Sequence, residues 1–140
     1  MKRVPLIKFI MTPFPYSVDM EDTVDAASEM MAQHGIRHLP VTDRGKPVGV
    51  VSDRDVRRAQ SEQPPEGGGR VRDIADLDAY IVELTVPLDS VVNEMARRHI
   101  ATGLVVRDGR LVGIFTSTDV FTYLGKLLAT LYPRGSDDVA

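Results

Sequence analysis

Apolar residues in the first half of the chain follow two spacings, one typical of strands and one typical of helices. Over residues 24–34 the apolar groups recur at helical spacing. Thr23 just before this segment suits an N-cap, and Gly35 just after it suits the C′ position, where a left-handed backbone costs glycine little. A second helix is predicted to begin after Ser52. Strands are predicted over residues 16–18, 38–42 and 47–51.

The second half repeats the same order of elements. An apolar stripe at helical spacing runs from Leu88 to Met95, and a last helix is predicted from Asp119 to Leu131. That last helix is unusually apolar, and the excess suggests a surface that a second copy of the chain covers. Its apolar positions are Val120, Tyr123, Leu124, Leu127, Leu128 and Leu131. Strands are predicted over residues 80–82, 104–106 and 111–115.

This order reflects an internal repeat. The segment Gly49–Val56 returns 64 positions later as Gly113–Val120, and no gap is needed to extend the match upstream. One β-α-β-β-α unit of this size cannot bury both faces of its small sheet. We therefore expect an α/β (α+β) fold in which two repeats pack about a pseudo-twofold axis, with sheets facing and helices outside. The expected divisions are repeat 1 over residues 1–60, a flexible linker over 61–70, repeat 2 over 71–132 and a disordered tail over 133–140.

Composition narrows the function. The net charge of −3 and the pI of about 5.6 favour neither a nucleic-acid partner nor an anionic membrane surface. The chain has no cysteine, which excludes disulfides and thiolate chemistry and fits a reducing compartment. The N-terminal apolar stretch is interrupted by Lys8 and is too short for a signal peptide or a membrane span. We expect a cytoplasmic protein.

The strongest motif is Gly-h-h-[Ser/Thr]-x-x-Asp, where h is apolar, at the strand-to-helix junction of each copy. Ser52 and Asp55, like Thr116 and Asp119, have the spacing of a helix capping box, and that interpretation suffices for the spacing alone. The same groups also suit a nucleotide. A helix N-terminus favours phosphate, the hydroxyl can donate to it, and an ionised carboxylate can accept from both hydroxyls of a ribose.

With these motifs the chain resembles a tandem pair of cystathionine β-synthase (CBS) domains, also called a Bateman module, over about residues 7 to 125. The second copy departs from the pattern at Ala75-Asp76 and at Thr102-Gly103-Leu104. The resemblance rests on Ile10-Met11-Thr12-Pro13, on Met31-x-x-His34-Gly35-Ile36-Arg37-His38-Leu39-Pro40-Val41-x-Asp43, and on Gly45-x-Pro47-Val48-Gly49-Val50-Val51-Ser52-x-x-Asp55-Val56.

The resemblance implies a function and two pockets. Such pairs bind AMP, ADP, ATP, S-adenosylmethionine or dinucleotides between the repeats and regulate another protein; no further cofactor is expected. The primary pocket would use Thr12, Ser17, Ile36, Arg37 and His38 with Thr116, Thr118 and Asp119. The second pocket would use Asp76, Ile81, Ile100, Ala101 and Thr102 with Ser52, Arg54 and Asp55. We predict the primary pocket to be the tighter one, because it keeps Thr12 and has Arg37 and His38 as phosphate partners. In the second pocket Asp76 places a like charge near a phosphate, which Arg54 would offset in part.

Four kinds of function can be compared on the sequence: a metal site, an enzyme, a regulatory module and a ligand-free interaction module. His34 and His38 are four apart, but Gly35 ends the helix between them, so we expect no metal site. No nucleophile–base pair or carboxylate cluster indicates an enzyme. The leading hypothesis is a stand-alone regulatory module that acts in trans on an unknown partner and forms a homodimer, as family members commonly do. The alternative is a ligand-free structural or protein-interaction module whose aspartates only cap helices.

Overall fold

We analysed a computed structural model of the chain, which describes residues 3–62 and 69–135. Most of the predicted linker and the end of the predicted tail lie outside these residues. Within them, a single 3₁₀ turn at Ile7–Phe9 precedes seven strands and five α-helices. The strands are β1 (Thr12–Pro13), β2 (Val18–Asp19), β3 (His38–Asp43), β4 (Lys46–Ser52), β5 (Tyr80–Glu83), β6 (Thr102–Arg107) and β7 (Arg110–Thr116). The helices are α1 (Val24–His34), α2 (Asp53–Ser61), α3 (Val71–Ile74), α4 (Leu88–Arg98) and α5 (Ser117–Leu131).

The repeated order of strands and helices is confirmed. The first repeat forms a three-stranded sheet in the order β2-β3-β4, and the second forms a four-stranded sheet in the order β1-β7-β6-β5. In each sheet the strand before the long helix, β2 or β5, pairs in parallel with the strand after it, β3 or β6, and the hairpin that follows is antiparallel. The hairpin turns match too, with Gly45 at φ 81° and Gly109 at φ 79°, a backbone that glycine adopts without strain.

The ends of α1 follow the sequence. The Thr23 side chain accepts a hydrogen bond from the backbone N–H of Ala26 at 3.1 Å, as expected for an N-cap. Gly35 closes the helix with φ 63°, and its N–H donates to the Met31 carbonyl. His34 and His38 therefore lie on different elements, the end of a helix and the start of a strand.

The beginning of each repeat is built into the other repeat. Ile7 is fully buried in the core of the second repeat, and its N–H donates to the Val86 carbonyl at 2.8 Å. Val71, the equivalent residue 64 positions later, is fully buried in the core of the first repeat and donates to the Asp22 carbonyl at 2.8 Å. This reciprocal exchange ties the two cores together, because neither is complete without a residue of the other copy.

The exchanged segments also extend the sheets. Thr12 and Pro13 of β1 pair antiparallel with Ile114 and Gly113 of β7. At the equivalent place, Asp76 bridges Val50 of β4, with a backbone hydrogen bond of 2.9 Å in each direction. The start of each repeat therefore lies against the strand that leads into the capping motif of the other.

Helix α5, with 15 residues, has no buried residue. Across residues 3–62 and 69–135, we found no helix that combines the length and apolar character needed to cross a membrane.

Candidate functional site

Both strand-to-helix junctions form the capping boxes predicted from the spacing. The Ser52 N–H donates to Asp55 Oδ2 at 2.9 Å, and the Asp55 N–H donates to Ser52 Oγ at 3.1 Å. In the second copy the Thr116 N–H donates to Asp119 Oδ2 at 2.9 Å, and the Thr116 hydroxyl lies 3.3 Å from the same oxygen. The Ser52 hydroxyl therefore accepts a hydrogen bond and can still donate its proton to a ligand. The Thr116 hydroxyl instead donates its proton to the Asp119 carboxylate.

Beside the first capping box lies a cavity of about 380 Å³ between the two repeats, which we call the α2 cleft. The Val50–Asp76 bridge forms one side of it, so the exchange of segments described above helps to build this site. The first repeat contributes His38, Val50, Ser52, Arg54, Asp55 and Arg58, and the second contributes Asp76, Asp78, Ala79, Tyr80, Ile100, Ala101 and Thr102.

A second cavity of about 610 Å³ adjoins the α2 cleft, and we call it the outer basin. The two cavities share the lining residues His38, Ser52, Arg54 and Ala101. A backbone hydrogen bond of 2.8 Å from the Asp53 N–H to the Arg37 carbonyl holds the segment before β3 against the start of α2. The outer basin is lined by Arg37, His38, Ser52, Asp53, Arg54, Arg57 and Ala101.

The structure gathers most of the residues expected in the second pocket. Ile81 is the exception, since it lies exposed on β5 and does not line the cleft. The seven that line the α2 cleft are Ser52, Arg54, Asp55, Asp76, Ile100, Ala101 and Thr102.

The residues expected in the primary pocket lie on several elements. Arg37 precedes β3 and His38 is its first residue. Both line the outer basin beside the start of α2, and His38 lines the α2 cleft as well. Thr12 is exposed on β1, where it pairs with Ile114 of β7. Strand β7 ends at Thr116. The other four expected residues lie elsewhere in the fold. Ser17 precedes β2, Ile36 packs against the core of the first repeat, Thr118 is exposed on α5, and Asp119 caps α5.

Some lining residues were not singled out from the sequence. Tyr80 is half-buried beside the cleft, where burial and the nearby Glu94 raise the pKa of its hydroxyl, while the Arg98 guanidinium lies 5.3 Å from its ring centroid. Arg57 and Arg58 follow Arg54 by three and four residues, a spacing that places them on one helix face. That spacing was the available signal for this basic face.

His38 is the half-buried titratable group at the junction of the two cavities. Burial lowers the pKa of its imidazole, Asp55 and Asp53 oppose that shift, and Arg37 adds to it. The imidazole is therefore held towards its neutral form in the folded protein.

This shift predicts a pH dependence of stability. Between the lowered pKa of His38 in the folded state and its ordinary value of 6.5 in the unfolded state, the unfolded state binds more protons, so stability falls as the pH falls. We expect His38→Asn to lose less unfolding free energy than the wild type between pH 7.5 and 5.5, measured by urea denaturation. His99→Asn is the matched control, because His99 is exposed at φ 54°, a backbone that asparagine tolerates. A wild-type pH profile in the His38 variant would contradict the assignment.

In the described residues, no group of three or more histidine, aspartate or glutamate side chains is arranged to hold a metal ion.

Comparisons with known proteins agree with this architecture. The CBS domain profile matches residues 7–62 and again residues 71–126. A CBS domain-containing protein of Dictyostelium discoideum is 28% identical over 143 residues, covering 92% of this chain and 97% of that protein. Inosine-5′-monophosphate dehydrogenase of Korarchaeum cryptofilum is 37% identical over 106 residues, which are 75% of this chain but only 21% of the enzyme.

A solved structure is also similar. The CBS domain pair of protein MJ0100, crystallised in complex with 5′-methylthioadenosine and S-adenosyl-L-methionine, superposes with a TM-score of 0.78 at 27% identity, covering 89% of this chain and 99% of that one. The two matched segments together span most of the sequence. The chain therefore belongs to the CBS domain family and carries the domain in tandem.

Proposed function

We propose that this chain is a sensor of adenosine-containing ligands, with AMP, ADP, ATP and S-adenosylmethionine as the candidates. The ligand binds in the groove between the two repeats, and the bound state regulates a partner protein in trans. The observation that carries the proposal is the α2 cleft, where a capping carboxylate and hydroxyl of one repeat face residues of the other. The role is regulatory rather than catalytic, as is general for CBS domain pairs.

The capping box of the α2 cleft retains the groups that a nucleotide needs. Only Oδ2 of Asp55 accepts a hydrogen bond among the described residues, so Oδ1 is available for the hydroxyls of a ribose. The Ser52 hydroxyl accepts from the backbone and still has a proton to donate to a phosphate. The box can therefore end the helix and bind ligand at the same time.

A ligand in this cleft contacts both repeats. Asp55 lies on the first repeat, whereas Tyr80 and Ile100 on the opposite side belong to the second. Any change in how the repeats pack alters the distance between these groups, so one packing arrangement binds the ligand better than another. This differential affinity is how binding becomes a signal to a partner.

The relatives support an adenosyl ligand and a regulatory role. The MJ0100 domain pair holds 5′-methylthioadenosine and S-adenosyl-L-methionine. In the dehydrogenase relative, the matching segment is about a fifth of a much larger enzyme. We therefore do not extend the dehydrogenase activity of that enzyme to this chain.

Thermal unfolding with each candidate ligand tests the proposal. A ligand that binds only the folded state at 100 times its Kd adds about 2.7 kcal/mol of stability, which moves the midpoint by several degrees in a domain of this size. We expect at least one of AMP, ADP, ATP and S-adenosylmethionine at millimolar concentration to raise the midpoint. No shift with any of the four would favour the ligand-free interaction module instead.

We also propose that two copies associate through α5. Its apolar side chains Leu124, Leu127, Leu128 and Leu131 recur at i, i+3, i+4 and i+7, and their exposed fractions are 45%, 38%, 46% and 59%. A contiguous apolar stripe of this kind is costly in water, and a second copy can cover it in a symmetric helix pair.

Charge on this stripe should separate the copies. We expect the double substitution Leu124→Glu, Leu128→Glu to yield a monomer in analytical ultracentrifugation, because each copy would bring two carboxylates into the buried face of the pair. The far-ultraviolet circular dichroism should stay unchanged, since α5 has no buried residue in the monomer. Thr122→Glu is a control in the same helix outside the stripe. A double variant with the wild-type sedimentation coefficient at equal concentration would contradict a dimer through this face.

A further inference from the structure

The two copies of the motif differ in charge far more than in shape. At five positions near the start of α2, the first copy carries a cation or a histidine and the second carries a neutral residue. The register is the same 64 positions that align the capping boxes. The aligned pairs are Arg37/Ala101, His38/Thr102, Arg54/Thr118, Arg57/Phe121 and Arg58/Thr122.

All five first-copy residues line the α2 cleft or the outer basin, so these five cationic or histidine side chains face one site. The charges are also divided between the two cavities. The outer basin has three arginines and one aspartate, namely Arg37, Arg54, Arg57 and Asp53. The α2 cleft has two arginines and three aspartates, namely Arg54, Arg58, Asp55, Asp76 and Asp78.

This division matches a ligand with an uncharged end and a strongly anionic end. Phosphates are unfavourable beside Asp76 and Asp78 and favourable among the basin arginines. The base and ribose carry no charge, so they fit the acidic cleft, where Asp55 can accept from the ribose. Ser52 and Arg54 line both cavities and lie where the first phosphate would follow the ribose.

We infer that this site distinguishes ligands by the length of their phosphate chain, with the nucleoside in the α2 cleft and the β- and γ-phosphates in the outer basin. The inference rests on the proposed function, because it assumes an adenosyl ligand in the cleft. It makes ATP and ADP the preferred ligands here over AMP, and it leaves S-adenosylmethionine, which is not polyanionic, without use of the basin.

The arginines of the outer basin differ in whether they already form an ion pair. Arg57 contacts Asp53 through an ion pair of 2.7 Å, which holds its side chain along the helix. Arg37 and Arg54 have no ion-pair partner among the described residues, so their donors are free for phosphate oxygens. Arginine binds phosphate with up to two parallel hydrogen bonds, so loss of its charge is not replaced by another polar group.

Isothermal titration with adenosine, AMP, ADP and ATP tests this inference. We expect affinity to rise by about tenfold for each added phosphate. The double variant Arg37→Ala, Arg57→Gln removes two basin charges and leaves the α2 cleft lining intact. It should bring ATP to within about threefold of AMP and leave adenosine unchanged.

The controls separate this inference from the proposed function. The double variant Arg107→Gln, Arg110→Gln also removes two positive charges, at exposed positions that line neither cavity, and it should keep the wild-type order and spacing of affinities. If adenosine and ATP bind the wild type equally, or if the wild-type spacing persists in the Arg37→Ala, Arg57→Gln variant, phosphate-length selection is wrong while adenosyl binding stands. If none of these four binds but S-adenosylmethionine does, phosphate-length selection is wrong while the proposed function stands. If S-adenosylmethionine does not bind either, the proposed function fails as well.

Discussion

Alanine in place of Gly49 should destabilise the protein by about 1–3 kcal/mol and weaken ligand binding in the α2 cleft. A Cβ on Gly49 would overlap the backbone carbonyl oxygen of Asp76 and lie 3.0 Å from Leu77 Cδ2. The carbonyl cannot rotate away, because the Asp76 backbone is hydrogen-bonded to Val50 in both directions. The added methyl group must therefore push the exchanged segment off the first repeat. Since Val50 and Asp76 line the cleft, the site opens with it.

The repeat supplies the control for this prediction. Gly113 is the equivalent glycine, but the three atoms nearest to a Cβ there all belong to the side chain of Met11. A methionine can change rotamer at low cost, so we expect Gly113→Ala to cost less than about 1 kcal/mol. Both substitutions reduce the entropy of the unfolded chain alike, so their difference isolates the backbone clash. Equal unfolding free energies from urea denaturation, or a larger loss for Gly113→Ala, would contradict the exchanged-segment contact.

Asparagine in place of Asp55 should weaken adenosine and ATP by the same factor, about 10- to 100-fold. The ribose is common to both ligands, and one or two hydrogen bonds to a charged acceptor are worth about 1.5–3 kcal/mol each. Asparagine keeps an oxygen for the Ser52 N–H, so the helix cap is largely retained. Titration calorimetry against both ligands measures the effect and separates it from any change in the phosphate contacts.

The matched variant is Asp119→Asn, which makes the same change in the second capping box. We expect it to alter ATP affinity by less than about threefold. The sequence alone favoured the opposite ranking, because it grouped Arg37 and His38 with Thr12 and Asp119. Those two residues line the cavities beside the start of α2, so we expect their charge to favour phosphates bound there. A larger loss in Asp119→Asn would restore the original ranking.

Local features of the fold were predictable because they depend on local chemistry. The Thr23 cap, the Gly35 terminus and both hairpin turns follow from residue types at fixed spacings. The capping role of Ser52 and Asp55 follows in the same way.

The exchange of segments was not predictable in this way. Ile7 and Val71 occupy equivalent positions in the two copies, but nothing in their local sequence indicates that each completes the core of the other. Strand β1 has two residues, too few to leave a periodic signal. These pairings join distant parts of the chain, so only the tertiary structure reveals them.

The basic lining of the site could be predicted from the sequence only in part. A helix face with several arginines is ordinarily a solvated surface, and the spacing of Arg54, Arg57 and Arg58 does not distinguish that from a binding site. The distinction comes from the Asp53–Arg37 hydrogen bond and the opposing second repeat, which turn this face into one side of a cavity. The residues were visible in the sequence, and their juxtaposition was not.

A crystal structure of the intact protein with ATP would locate the ligand. We expect ATP in the α2 cleft, with its ribose hydroxyls on the Asp55 carboxylate, its first phosphate near Ser52 and its terminal phosphates among Arg37, Arg54 and Arg57. ATP bound elsewhere, or bound in the cleft with the ribose away from Asp55, would contradict this prediction.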